Sequence, residues 1–362
     1  MTVTLYGLSI GGTNSAFAKW YYDRYNGAYL DKYAKDDILR VIPRTGVFLN
    51  AQTEFQALSV GYGPFAFTTR LVGGVNGRIA REVFEILFEQ ANEIGRRYSF
   101  QPAWSEGSAY GIFSFSYGQK IKFTLPWLNH FGVGVNLKYY RGIYYSRISQ
   151  SHFQAITRLT STEANGIFAF KQAQGGRGFG LDAGVVGTFA RHYRLSLFIE
   201  NLFSRVTWNN KTELFRVSFA TTSSNIEQML TNNANADSLF TSGDTTYAID
   251  PFSIGLPVIF RLGILRSFGQ LVVTGQWEQS FRDSAFSTKS PLFATGCEYR
   301  PLRFLRLRAG LSYGGSVGYA ISYGFGLLFG PVRWDFAGRS YGGLLPRYHK
   351  GFLLGTSLVL RY

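Results

Sequence analysis

The residues that could do chemistry in this chain are few and badly spaced for it. The four histidines, His130, His152, His192 and His349, share no metal-ligand spacing with one another or with the single cysteine, Cys297. Ser151 directly precedes His152. Adjacent side chains on a strand point to opposite faces, so the two cannot form a nucleophile–base pair there. Gly176, Gly178 and Gly180 imitate a dinucleotide-binding turn, but no helix pattern follows them, and that turn needs a helix N-terminus to hold the phosphate. Small residues on an inward strand face explain these glycines better. Asp237, Asp244 and Asp250 do not keep the spacing of a calcium-binding loop and read as a solvated acidic segment. Cys297 shares an apolar parity with Phe293 and Tyr299, and a lone cysteine excludes internal disulfides and cysteine-rich metal sites. No catalytic residue, metal site or cofactor is expected.

A second polar set does have a pattern. Lys138, Asp182, Arg194, Glu200, Arg261, Glu278, Glu298, Arg306, Arg308, Arg333 and Asp335 each fall opposite an apolar face in an alternating segment. Leu305, Leu307, Ala309, Leu311 and Tyr313 share one parity, while Arg306, Arg308, Gly310 and Ser312 share the other. The chain ends the same way, with Phe352, Leu354, Leu358, Leu360 and Tyr362 against Gly355, Ser357 and Arg361. Side chains alternate across a strand, so each segment has an apolar face and a polar one. An Arg or Lys facing lipid costs about 2–4 kcal/mol at the bilayer midplane, so these charges should line a lumen. Acids and bases alternate along neighbouring segments. That favours a cross-strand ion-pair network filling the lumen, with a selectivity lining as the other use.

The elements that must hold such a lining are legible in composition. Charged residues are only 16% of the 362, while aromatics reach 17% and glycine counts 42. Low charge, many Tyr and Phe and much Gly suit a sheet with one face in lipid and aromatic girdles at both interfaces. No run of about 18 apolar residues occurs, which excludes a helical membrane protein. The net charge of +15 raises nucleic acid as a partner, yet no basic helix or zinc spacing accompanies it. The basic residues are scattered along strands, so a lumen or anionic lipid is their expected partner, and nucleic acid is not.

Taken in order, the segments predict an all-β fold: a single domain over 1–362, a transmembrane antiparallel β-barrel of about 14 strands. Even strand numbers are the rule for bacterial single-chain barrels, and both termini then face the periplasm. Short helices are expected in the extracellular or lumen loops. One is predicted near 35–42, stopped by Pro43. A stronger one is predicted over 78–97, with Ile79, Val83, Ile86, Leu87 and Ile94 as its apolar stripe and Glu82, Glu85, Glu89 and Glu93 opposite. Such a helix cannot lie among strands. It is expected to gate or plug the mouth, its glutamates meeting Arg306 or Arg308. Residues 221–255 carry no Lys or Arg and predict a long extracellular loop with a short helix near 226–230. Short connections are expected between the strands from Leu256 to the end.

Several stretches resemble a known family. They are Asp36-Asp-Ile-Leu-Arg-Val-Ile-Pro43, Glu82-Val-Phe-Glu-Ile-Leu-Phe88, Gly176-Arg-Gly-Phe-Gly-Leu-Asp182-Ala-Gly184, Glu200-Asn-Leu202, Glu298-Tyr-Arg-Pro301 and Leu305-Arg-Leu-Arg-Ala-Gly-Leu311. Together and in this order they resemble an uncharacterised Bacteroidota-type outer-membrane barrel family, a domain of unknown function. That family sits in the fatty-acid-transporter (FadL-like) superfamily, with PorV as a relative. The resemblance implies a fourteen-strand outer-membrane barrel and brings no substrate and no catalytic residues. The expected function is a passive channel, or a transporter of small solutes that could include hydrophobic ones, with a charged, partly occluded lumen. The alternative is a closed structural barrel that anchors a secreted or surface protein partner. A barrel enzyme is a third reading, disfavoured by the missing constellation. Membrane lipid is the expected environment, and a bacterial outer membrane the location. Export there needs a signal, which the strand-like start Met1–Tyr6 lacks, so the numbering is expected to follow its removal.

Overall fold

The computed structural model describes residues 1–89, 95–99, 103–121, 128–157, 162–190, 192–221 and 240–362. β1 (Thr2–Asn14) leads through helices α1 (Lys19–Tyr25) and α2 (Lys32–Val41) to β2 (Val47–Tyr62). β3 (Phe65–Ile79) leads to α3 (Arg81–Glu89) and the short β4 (Arg97–Ser99). β5 (Trp104–Ile121), β6 (Leu128–Thr157), β7 (Thr162–Phe189), β8 (Tyr193–Glu200) and β9 (Arg205–Thr221) follow. Then come β10 (Phe240–Ala248), β11 (Phe252–Ile254) and β12 (Ile259–Phe268). The last six are β13 (Leu271–Ser280), β14 (Leu292–Leu302), β15 (Leu305–Gly314), β16 (Gly318–Phe329), β17 (Val332–Tyr341) and β18 (Gly351–Arg361).

Pairing is antiparallel throughout, and β1 meets β18 to close the ring, from Thr2 opposite Arg361 to Thr13 opposite Gly351. Some strands are pieces of one stave. β8 pairs with the end of β7 (Phe189 opposite Tyr193), and β9 continues along the same neighbour (Phe179 opposite Arg205). β10 and β11 pair with β9 while β12 pairs with β8, so these three form the next stave. β4 is a short addition beside β6. The result is a closed 14-strand antiparallel barrel.

The two ends of the barrel differ. One end has tight connections and both termini. There, Gly269 and Gly330 have φ of 56° and 57°, the positive value that a two-residue hairpin turn asks of its first central residue and that glycine adopts freely. The other end carries the helices and long loops. β13 to β18 are 10 to 12 residues long, matching the roughly 9–11 residues of a membrane crossing. β6 has 30 residues and β7 has 28. At about 3.3 Å per residue β6 is roughly 100 Å long, so it projects far beyond the bilayer at the loop end. The projecting sheet of β6, β7, β9 and β10 is knit by aromatic pairs such as Phe153–Phe219, with ring centroids 5.5 Å apart.

Alternation decides which face meets lipid. Leu307 and Leu311 are 43% and 49% exposed, while Arg308 between them is drawn into ion pairs. Leu8, Phe67, Phe115, Leu137, Leu262, Phe325 and Leu354 continue this exposed apolar belt around the ring. In water such a belt would be a large aggregation surface, whereas in a bilayer it is what the lipid requires.

The helical loops differ from expectation in their bounds. β3 continues through Arg78 and Ile79, because Arg78 pairs with Phe48 on one side and Trp104 on the other, and Ile79 pairs with Val47. Sheet pairing overrides the helical spacing there, and α3 begins only at Arg81. Glu93 and Ile94 lie outside the described residues. α2 starts earlier than predicted, at Lys32, where Asp31 caps it by accepting from the Ala34 amide at 2.8 Å. α1 is a further helix, over a stretch for which no element is predicted above. The expected loop over 221–255 contains β10 and β11, held by pairing to β9, and the helix expected near 226–230 lies outside the described residues.

Ile38, Leu39 and Ile42 are buried with Ala16 and Val47, and Phe84 and Phe88 of α3 pack on them. Two of the resembling stretches therefore build one cap at the loop end. Within it the Tyr25 hydroxyl donates to Asp37 Oδ2 at 2.7 Å, and this bond holds the Asp37 carboxyl below its ordinary range. The support is fully present above the ordinary carboxylate value and is lost as pH falls through the lowered one.

Candidate functional site: a plugged, charged lumen

The connection from β13 to β14 is not short. Residues 281–291 leave the wall and cross the lumen. Between β5 and β13 stand four staves one way round, and between β14 and β3 stand six the other way, so the loop reaches the opposite wall. There, Asn76 of β3 donates through Nδ2 to the Ser284 and Ser287 carbonyls at 2.8 and 3.3 Å. The Ala285 amide donates to Glu106 Oε1 of β5 at 3.4 Å. The Phe286 ring lies 6.2 Å from that of Tyr110. A Cβ on Gly74 would sit 2.6 Å from the Phe286 ring, so glycine at 74 makes room for it. The loop also ties itself down: the Ser284 and Ser287 hydroxyls are 2.8 Å apart, and Arg282 donates to the Gly255 carbonyl. Ala285 is completely buried.

Beside the plug lies the more buried of two charge networks. Lys138 Nζ is 2.8 Å from Asp182 Oδ2 and 2.9 Å from Glu200 Oε1. Arg261 joins Glu200 at 2.6 Å to Glu278 at 2.7 Å. Lys138 and Asp182 are 2% and 1% exposed, so their charges survive only because each is paired and hydrogen-bonded. Asn201 supplies much of that bonding. Its amide donates to Asp182 Oδ1 at 2.9 Å, its Oδ1 accepts from Tyr140 at 2.8 Å and from Lys138 at 3.3 Å, and its Nδ2 donates to the Pro257 carbonyl at 3.1 Å. To do this it adopts φ of 58°, a left-handed conformation that Asn tolerates better than most residues. The stretch Glu200-Asn-Leu202 is therefore where the β8–β9 stave breaks to bring donors inward. Gly176 and Gly180 serve the same wall, since a Cβ would strike the rings of Trp208 at 2.9 Å and Tyr140 at 2.8 Å.

The second network stands near the turn end. Arg308 joins Glu298 at 2.8 Å to Asp335 at 2.7 Å, Arg306 and Arg300 approach Glu298 at 3.8 and 2.7 Å, and Arg333 reaches Asp335 at 2.7 Å. Two cavities flank the plug level. One of about 150 Å³ lies between the loop and β15–β17, and one of about 540 Å³ lies on the turn-end side. The larger is lined by Arg300, Arg306, Arg308, Arg333 and Arg339 with Glu298, and Asp335 pairs with Arg308 and Arg333, which makes five cations to two anions. Ser312 and Arg339 line both cavities and so mark the neck between them.

The structure thus brings together all the sequence-predicted charges except Arg194, which is exposed near the turn after β7. The α3 helix does not use its glutamates as expected. Glu85 pairs with Arg81 at 2.8 Å and Arg96 at 2.5 Å. Arg306 and Arg308 stand at the opposite end of the barrel, close to the turn before β15, out of reach of Glu82. Val83 is half-buried in α3, and Ile86 and Leu87 belong to the same helix. Sequence reading missed Asn201, Glu106, Asn76 and the plug. The serines of the plug, Ser284 and Ser287, suit any polar loop and carry no signal of their own for it. Of the residues weighed for catalysis, Ser151 donates to the Ala103 carbonyl at 3.1 Å and His152 is exposed.

A fourteen-strand closed barrel with an apolar outside and a polar, plugged inside is of the outer-membrane type. Residues 2–166 match the model described as "Family of unknown function (DUF5723)", in agreement with the resemblance drawn from the sequence. None of the curated proteins matches the chain. Among solved structures, the CymD monoaromatic hydrocarbon channel is similar at 12% identity and TM-score 0.49, over 100% of this chain and 88% of that one. The P. putida toluene transporter TodX is similar at 11% identity and TM-score 0.49, over 100% and 90%. A Pseudomonas aeruginosa FadL homologue is similar at 13% identity and TM-score 0.41, over 99% and 89%.

Proposed function

We propose that the protein is a passive channel for small solutes in a bacterial outer membrane, and that the loop 281–291 is its gate. The observation that carries this is the pair of cavities inside the barrel, one against the loop and one toward the turn end, that meet at Ser312 and Arg339. A barrel that served only as an anchor has no need of internal space. The loop is the element to move, because it is tied to the far wall by a handful of hydrogen bonds, whereas the wall is held by continuous ladders. No catalytic role is assigned.

Replacing residues 283–288 by a short Gly/Ser turn should raise single-channel conductance in a planar bilayer several-fold over the parent protein. A correctly folded variant with unchanged conductance would remove the gate from this proposal. If neither form conducts, the closed scaffold takes its place. That second reading has its own support in the sheet of β6, β7, β9 and β10 beyond the membrane, a broad surface for a secreted or surface partner.

The proposal also fixes a direction: long loops outside the cell, termini and tight turns in the periplasm, as bacterial barrels arrange them. Asp244 is exposed on β10 in the projecting sheet. In a Cys297→Ala background, Asp244→Cys should react with a membrane-impermeant maleimide on intact cells. Reaction only after the outer membrane is permeabilised would invert the topology.

A further inference from the structure

We propose that the 150 Å³ cavity between the plug loop and β15–β17 is a binding site for a small organic anion bearing hydroxyl groups, held by Arg339 and Asn76. This rests on the channel reading and names the class of solute that passes. The cavity has room for a molecule at least the size of benzene.

Arg339 supplies the charge recognition. Its Nε donates to the Ser322 hydroxyl at 3.1 Å, and among the described residues no carboxylate lies within ion-pair distance of it. That sets it apart from Arg261, Arg306, Arg308 and Arg333, each of which has one. A guanidinium is a planar fork of donors that fits a carboxylate on two oxygens. Arg339 lines both cavities, so an anion held there stands in the neck of the path. Glu278 also lines this cavity, but its charge is met by Arg261 at 2.7 Å. Below the neck, the excess of arginines over carboxylates favours an anion again.

Asn76 supplies the demand for a hydroxyl. It is 2% exposed and lines the cavity. Its Nδ2 is occupied by the plug loop, while its Oδ1 has no hydrogen-bond partner. A buried acceptor of this kind calls for a donor, and it cannot be the carboxylate of the same solute. A solute hydroxyl meets it. Asn50, Gln52 and Ser312 on the same lining offer partners for further hydroxyls. Because Asn76 holds the plug through Nδ2 and also lines the cavity, a solute bound there stands against the gate.

Gluconate is a suitable probe, with sorbitol as its uncharged counterpart. Equilibrium dialysis of the purified protein in detergent should retain gluconate about tenfold better than sorbitol. Arg339→Gln, whose amide can still reach Ser322, should lose that preference, and Arg339→Lys should recover part of it. Ser312→Asp, which puts a carboxylate against the same space, is a second route to the same loss should Arg339→Gln fold poorly. Equal binding of gluconate and sorbitol, or gluconate binding indifferent to both substitutions, overturns the site. Liposome swelling separates this from the channel itself. Vesicles that admit arabinose while gluconate binding ignores Arg339 leave the channel standing and the site refuted. Gluconate binding as described, in vesicles closed to both solutes, refutes the channel and keeps the site.

Discussion

Lys138→Met should destabilise the barrel by about 3–5 kcal/mol, the usual cost of removing one partner from a buried ion pair. The reason is what remains behind. Asp182 Oδ2 and Glu200 Oε1 both lean on Lys138 Nζ at under 3 Å, and Asp182 is 1% exposed. Without the ammonium, the Asp182 carboxylate keeps only the neutral donors of Asn136 and Asn201, and Glu200 keeps Arg261. The length of Met preserves the packing, so the charge alone is tested. Urea titration of the refolded protein in lipid, followed by heat-modifiable migration, reads the loss. Adding Asp182→Asn should recover a large part of it, because the unpaired charge goes too. Arg300→Met is the surface comparison: Arg300 is 45% exposed beside Glu298, and exposed pairs contribute about 0–1 kcal/mol. If Lys138→Met costs no more than Arg300→Met, the network near the plug is not a buried one.

The parts of this picture that depend on period two were legible in the chain. Arg306, Arg308, Gly310 and Ser312 against Leu307, Ala309 and Leu311 gave the inner and outer faces without any coordinates, because a strand offers no other choice of face. The same alternation placed Lys138, Glu200, Arg261, Glu298 and Asp335 where their ion pairs now stand. The cap was half legible. α2 could be read with its stop at Pro43, but the N-terminal bound of α3 could not, since Arg78 and Ile79 fit a helix by spacing and are claimed by strand partners on β2. The plug was not legible at all. Nothing in residues 281–291 distinguishes a loop that turns outward from one that turns inward. That decision rests on Gly74, Asn76 and Glu106, roughly two hundred residues away in sequence. Asn201 was hidden for the same reason, because its left-handed turn makes sense only once Asp182, Lys138 and Pro257 surround it.

Two arginines introduced at nearly one depth should have opposite outcomes. Thr274, Gly296 and Gly310 form one row across β13, β14 and β15, and Leu311 is the next residue along from Gly310. Thr274 shares the inward parity of Glu278, is itself exposed, and lines the 540 Å³ cavity near Glu298. Leu311 is 49% exposed on the apolar belt, between Thr295 and Ile321 of the flanking strands. Thr274→Arg places its guanidinium in an aqueous space that already holds several arginines, with Glu298 on the same lining, and gives up one weak bond to the Gly296 carbonyl. It should fold with a change of no more than about 1 kcal/mol. Leu311→Arg puts the same group into hydrocarbon near the middle of its strand and should cost about 2–4 kcal/mol. The native strand is a control in itself, since Arg306 and Arg308 already stand on its other face without harm. Folding into lipid vesicles, scored by migration of unboiled samples and by urea titration, measures both. Equal behaviour of the two variants would mean that the exposed belt does not face lipid, and the transmembrane assignment of this sheet would fall with it.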